Sequence, residues 1–183
     1  TGHASIRNSI ASLLAASTVT GNLSVISAGA VTQSGALTVA GTSGFTTNVD
    51  NISATLDHAS NAFTGAVTFT TQGTTAHATL VNNMATVLGA SGVAGNFSVT
   101  SAGNMTQSGA LTVSGTSAFV TNADDVTMTL TNGSNALTGA ITLTSQTAGG
   151  NTGHASLTNS LATVLAASTV TGNVAVISGG DVT

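Results

Sequence analysis

Along the whole chain, short stretches in which apolar and polar residues alternate are separated by Gly, Asn and Ser. Leu23 and Val25 flank Ser24, and Leu37 and Val39 flank Thr38. Ile52, Ala54 and Leu56 alternate with Ser53 and Thr55, and Val67 and Phe69 with Thr68 and Thr70. The pattern returns at Phe97 and Val99, at Leu111 and Val113, at Val126, Met128 and Leu130, and at Ile141 and Leu143. Alternation with period two over about four to six residues, bounded by turn formers, predicts short strands with one buried face. The candidate core is Leu23, Val25, Leu37, Val39, Val67, Phe69, Phe97, Val99, Leu111, Val113, Ile141 and Leu143. Strands this short cannot bury an apolar face alone, so each must stack on neighbours.

The pattern repeats on a larger scale. Gly29–Phe45 reads GAVTQSGALTVAGTSGF and Gly103–Phe119 reads GNMTQSGALTVSGTSAF, an offset of 74 from Gln33 to Gln107. HASIRNSIASLLAASTVTGN from His3 returns as HATLVNNMATVLGASGVAGN from His77 and HASLTNSLATVLAASTVTGN from His154, offsets of 74 and 77. The three additional residues fall in the Gly/Asn-rich Thr147–Gly153, where a loop is expected to have grown, since loops accept insertions and packed strands do not. Large repeats are placed at 3–76, 77–153 and 154–183 of one segment, 1–183. Because the chain opens and closes inside a repeat, it is expected to be a fragment of a longer repeat protein.

Each large repeat divides again into Ala11–Gly35, Ala36–Asn61 and Ala62–Met84, units of about 25 residues with an Ala-led start and Gly-bounded turns. Hairpins would need two-residue turns, and Asn132–Gly133 is the only Asn-Gly. Three short strands and three bends per unit suit one coil of a parallel β-solenoid, each strand pairing with the coils above and below about 4.8 Å away. The predicted fold is all-β: a parallel β-helix of about 25 residues per coil, three coils to each repeat of about 74 residues. Ile6, Ile10 and Leu13 within Ser5–Ser17 also carry helix-like spacing. Ser and Asn there compete with a helical backbone, and the neighbouring text is all strand.

Composition narrows the function classes. Charged residues are 3% of the chain, against about 25% in ordinary soluble domains. The formal charge of −4, with Arg7 the only Lys or Arg, supplies no basic surface for nucleic acid. No apolar run reaches the roughly 18 residues of a membrane helix, and five Phe without Trp or Tyr do not make the aromatic girdles of a membrane barrel. Membrane insertion of this segment is not expected. The absence of Cys fits either a reducing compartment or an exoprotein without disulfides.

The candidate chemistry is sparse. His3, His77 and His154 recur at one repeat position, but three coils of separation, about 14 Å, is too far for a shared metal, so they are expected to be turn or wall residues. Asp50–Asn51 and Asp124–Asp125 align between repeats, and Asp57 and Asp181 complete the acids. Calcium needs six to eight oxygens, and turn formation is the expected role of these residues. Without Glu or Lys, with one Arg and without a G-x-S-x-G elbow, no catalytic residue, metal ligand or cofactor site is assigned and no enzyme is expected. Thr68–Thr70, Thr127–Thr129 and Thr142–Thr144 place hydroxyls on one strand face, the one feature in favour of a minor alternative, ice binding. Asn-x-Ser/Thr patterns at Asn22, Asn51, Asn96, Asn104 and Asn132 are attributed to composition.

The phrases GNLSVISAGAVTQSGALTVAGTSGFTT and LDHASNAFTGAVTFTT, with their copies GNFSVTSAGNMTQSGALTVSGTSAFVT and LTNGSNALTGAITLTS, resemble repeat regions of large bacterial exoproteins of the filamentous-haemagglutinin-like and autotransporter-adhesin type. The resemblance covers nearly the whole chain. It implies a right-handed parallel β-helix, secretion to the cell surface, and work as an adhesin stalk or extracellular fibre. The expected function is thus a structural, non-catalytic rod, extracellular or on a bacterial cell surface, whose first partners are neighbouring coils of its own chain. The alternative is a self-assembling subunit of a sheath, surface layer or functional fibril, because weak charge and open ladder edges permit association of rods.

Overall fold

The computed structural model describes residues 2–145 and 153–183, and among these every regular element is a strand. The first repeat contributes ten. They are β1 (Ala4–Asn8), β2 (Ser12–Leu14), β3 (Ser17–Val19), β4 (Leu23–Ser27) and β5 (Val31–Gln33), then β6 (Leu37–Val39), β7 (Ser43–Asp50), β8 (Ala54–Leu56), β9 (Ala62–Phe63) and β10 (Val67–Gln72). The second repeat contributes ten equivalents. They are β11 (Ala78–Asn82), β12 (Thr86–Leu88), β13 (Ser91–Val93), β14 (Phe97–Ser101) and β15 (Met105–Gln107), then β16 (Leu111–Val113), β17 (Ser117–Thr121), β18 (Met128–Leu130), β19 (Ala136–Leu137) and β20 (Ile141–Ser145). β21 (Ala155–Asn159) and β22 (Val174–Ser178) belong to the third. Ser5–Ser17, with its helix-like spacing, lies in β1 to β3.

All pairings between strands are parallel, and the chain winds about eight turns of a three-sided β-solenoid. Through β20, strands three apart in the chain share a face, and the start of β10 also pairs with the end of β12 at Val67–Leu88, where the third face meets the first. The first face runs β1, β4, β7, β10 and continues through β13, β16 and β19. The second runs β2, β5, β8, β11, β14, β17, β20. The third begins β3, β6, β9 and resumes as β12, β15, β18, β21, β22. Between β9 and β12 the ladder is replaced by the Asn83 N–H to Asn61 carbonyl bond (2.8 Å) and by side-chain amides described below.

The coils vary in length about the 25 residues expected, and most are shorter. Ala4 sits under Leu23, Leu23 under Ser43 and Ser43 under Val67, steps of 19, 20 and 24. The second repeat reproduces these from Ala78 through Phe97, Ser117 and Ile141. Two steps are longer, the 25 from Thr144 to Thr169 and, longest, the 27 from Met128 to Ala155. The loop growth expected at Thr147–Gly153 accounts for that length by position and lies outside the described residues, apart from Gly153. Short coils arise where Gly and Asn corners take the chain round with no excursion; the longer ones carry loops between β7 and β8, β8 and β9, and β10 and β11.

The repeat therefore does not hold a whole number of coils. Ten strands on three faces make three and a third. Three coils take Ala4 to Val67, and the eleven residues from Val67 to Ala78 carry the chain on by one face. β1, the first strand of its repeat, lies on the first face, β11 on the second and β21 on the third. Each repeat is turned by one face, about a third of a revolution, while rising about 16 Å at 4.8 Å per coil.

The interior is a single apolar column. Leu23, Val25, Leu37, Val39, Val67, Phe69, Phe97, Val99, Leu111, Val113, Ile141 and Leu143 are all buried. Phe45 stacks on Phe69 with ring centroids 5.6 Å apart, and Phe63 meets Phe45 edge-on at 6.0 Å. Phe69, Phe97 and Phe119 continue the line edge to face at 5.7 and 6.0 Å. Such arrangements satisfy the ring quadrupoles and contribute about 1 kcal/mol per pair beyond burial. The aromatic line crosses from the first face to the second between Phe69 and Phe97, which follows from the turn of the repeat.

Candidate functional site

The polar side chains of this chain are spent chiefly on joining one coil to the next. At the corner before β1, the Asn22 N–H donates to His3 Nδ1 (2.9 Å) and the Thr42 N–H donates to Asn22 Oδ1 (3.0 Å). The second repeat has the same ladder in Asn96 to His77 (2.8 Å) and Thr116 to Asn96 (3.0 Å), and the third begins it with Asn173 to His154 (2.9 Å). The glycine before each Asn is obligatory. A Cβ on Gly21, Gly95 or Gly172 would lie 2.6 Å from the imidazole Nδ1 below it. Each His immediately precedes the first strand of its repeat, so the three stand at three different corners, rotated as well as raised, and not in the vertical row expected at three coils' spacing.

Inside the rod, amides act as bolts. Asn61 Oδ1 accepts from the Leu37 N–H (2.9 Å) and from Gln33 Nε2 (2.8 Å). Asn61 Nδ2 donates to Gln33 Oε1 (2.9 Å), to the Leu56 carbonyl (3.3 Å) and to the Val81 carbonyl (3.2 Å). One buried carboxamide thereby ties three successive coils. Asn135 repeats the arrangement with Leu111, Gln107, Leu130 and Thr158. Asn82 does a related task, its Oδ1 accepting from the Phe63 N–H (2.9 Å) and its Nδ2 donating to the Phe63 carbonyl (3.1 Å). That is the hydrogen bonding of a neighbouring strand supplied by a side chain, and Asn159 does the same for Leu137. Buried hydroxyl pairs Ser12–Ser27 (3.0 Å) and Thr86–Ser101 (2.8 Å) and the partly buried Thr163–Ser178 (2.9 Å) lie alongside.

The protruding parts are loops, and Asp57, Asp124 and Asp125 lie in them while Asp50 ends β7 at the edge of one. Asn51 adopts the left-handed conformation (φ 62°), which Asn tolerates because its short amide bonds locally. Its Oδ1 accepts from the N–H groups of Thr74 (2.9 Å) and Thr75 (3.0 Å) one coil above, beneath Gly73 at φ 93°. Two loops are thus stapled into a ridge. Asp125 holds the same conformation in the second repeat (φ 56°). Asp50, Asp57, Asp124, Asp125 and Asp181 are exposed. Among the described residues no three of His, Cys, Asp or Glu gather as metal ligands would. A shallow open groove lined by Thr70, Thr71, Gly92, Val93, Ala94, Thr112 and Ser114 presents hydroxyls and methyls and no ionisable group.

Reading alternation alone did not find Asn61, Asn82, Asn135 or Asn159, although one signal was present: the pairs Gln33/Asn61 and Gln107/Asn135 recur with the same 28-residue separation. No helix among the described residues is long and apolar enough to cross a membrane.

Fold and ladders together define a β-solenoid repeat protein. The chain belongs to the family described as repeats of unknown function (DUF5649), whose model matches residues 1–70 and again 75–144. No curated protein and no solved structure matches it.

Proposed function

We propose that this chain is a structural, non-catalytic rod of a bacterial cell-surface or extracellular-matrix protein, an adhesin stalk or extracellular fibre of the filamentous-haemagglutinin-like kind that its repeats resemble. The observation that carries this reading is the through-coil bolting. Buried amides that each tie three coils, over a continuous apolar column, resist both bending and coil slippage, and this is what a load-bearing spacer needs. The turn of each repeat by one face supports a rod over an ice-binding plate. On the second face the outward pairs are Thr79/Val81, Ser98/Thr100, Ala118/Val120 and Thr142/Thr144, and only the last has two threonines.

Imaging of chains with increasing numbers of repeats tests the proposal. Separate thin rods lengthening by about 16 Å per repeat are expected. Ordered bundles or tubes would replace the stalk by the self-assembling subunit, which the weak charge favours. Antibodies raised against the repeats should label intact, unpermeabilised cells, and labelling only after lysis would remove the extracellular assignment.

A further inference from the structure

The turn that leads to each amide bolt is built alike in both repeats but from different residues. His58–Ala59 opens it in the first and Asn132–Gly133 in the second. The backbone roles coincide. The His58 N–H donates to Gln33 Oε1 (3.3 Å) and the Asn132 N–H to Gln107 Oε1 (3.2 Å). The carbonyls of His58 and Asn132 each accept from the bolt residue's own N–H, Asn61 and Asn135, at 3.1 Å. Even the side chains match, for the Ser60 N–H donates to His58 Nδ1 (3.2 Å) and the Ser134 N–H to Asn132 Oδ1 (2.9 Å).

The reactivity differs. The Ser134 bond folds the Asn132 carboxamide back over the following peptide, as in other Asx turns, and sets a donor on the oxygen that gains charge when a nucleophile adds to Cγ. The next residue offers that nucleophile with least hindrance: Gly133 has no Cβ, is exposed, and has nothing within 4 Å of where a Cβ would stand. Among the described residues its N–H donates to no backbone carbonyl.

We propose that Asn132–Gly133 is a self-modification site through which the second repeat loosens its own bolt with time. The Gly133 nitrogen adds to Asn132 Cγ, forming a C–N bond. The Cγ–Nδ2 bond breaks, and the amide nitrogen leaves as ammonia with the proton from Gly133. One water then opens the cyclic imide at either carbonyl, giving aspartyl or isoaspartyl, with no change of oxidation state. Both products add a carboxylate beside the Gln107–Asn135 pair. The isoaspartyl product also routes the main chain through Cβ, and so moves the carbonyl that accepted the Asn135 N–H out of the backbone. The first repeat, with His58–Ala59, cannot undergo this step and serves as an internal control.

The test is ageing of the full chain in mildly alkaline buffer, followed by chymotryptic peptide mapping and enzymatic methylation of isoaspartate. Amide-to-acid conversion is expected first in the peptide containing Asn132, together with loss of hydrogen-exchange protection at the Asn135 amide and none at Asn61. Gly133→Ala and Asn132→His should each abolish the methylation signal at this site while leaving the unfolding midpoint of fresh protein unchanged. Asn132 surviving as the amide after other asparagines have converted would overturn the proposal, as would an undiminished signal in Gly133→Ala.

Discussion

Gln33 and Asn61, 28 residues apart, exchange amide hydrogen bonds in both directions, Gln33 Nε2 to Asn61 Oδ1 at 2.8 Å and Asn61 Nδ2 to Gln33 Oε1 at 2.9 Å. The exchange joins a fully buried Asn61 to a half-buried Gln33 beside the apolar column, and it leaves neither partner unsatisfied. Asn61→Leu keeps the number and branching of the side-chain heavy atoms but strips acceptor from the Leu37 N–H and donor from the Leu56 and Val81 carbonyls. With about 1 kcal/mol or more lost per stranded group, urea unfolding should show a loss on the order of 3 kcal/mol. An exposed corner residue, Asn22→Ala, should cost about 1 kcal/mol or less by the same measurement.

Leu37 is 2% exposed and lies between Val19-bearing β3 and Phe63-bearing β9 on the third face. Leu37→Asp buries a carboxylate with no cation near, and a destabilisation on the order of 4 kcal/mol is expected in thermal or urea unfolding. A variant as stable as the parent would contradict this packing.

Coil length and phase are open to a covalent test in a chain without cysteine. Thr55 and Thr79 are Cα partners across the second face, and both point outward. Adjacent parallel strands about 4.8 Å apart suit a disulfide. Thr55→Cys with Thr79→Cys should cross-link on mild oxidation, read by the gel shift of the closed loop. Ser5→Cys with Thr79→Cys joins equivalent positions of two repeats on different faces and should give no intramolecular link. A 25-residue coil would instead bring Leu80 opposite Thr55.

Ser43 and Ser117 occupy equivalent interior positions, and the hydroxyl of each is buried without a hydrogen-bond partner. Ser43 stands between Leu23 and Val67, an apolar column in which its hydroxyl loses hydration for nothing. Ser43→Ala and Ser117→Ala should each raise stability by about 1 kcal/mol, measured as an upward shift of the urea midpoint at unchanged slope.

Much of this architecture was legible in the residues. Alternation at Leu23/Val25 or Ile141/Leu143 specifies an in-out strand because side chains on a strand point to opposite faces whatever the strand pairs with. The copying of Gly29–Phe45 as Gly103–Phe119 specifies an array, and the scarcity of tight-turn dipeptides specifies winding in place of hairpins. The amide bolts were less legible, since Asn61 and Asn135 lie in Ser- and Asn-rich turns where a surface role is the ordinary expectation. Their burial depends on partners 24 to 28 residues away.

By itself, then, the chain's text determined which residues turn inward and that one unit is laid on the next, because both are local properties of alternation and repetition. Tertiary structure alone decided the length of each coil and the face on which each repeat begins. Those depend on how tightly Gly and Asn corners stack and on how many residues each loop diverts from the wall. Ten strands cannot be shared evenly among three faces, so each copy of the repeat must start one face further round.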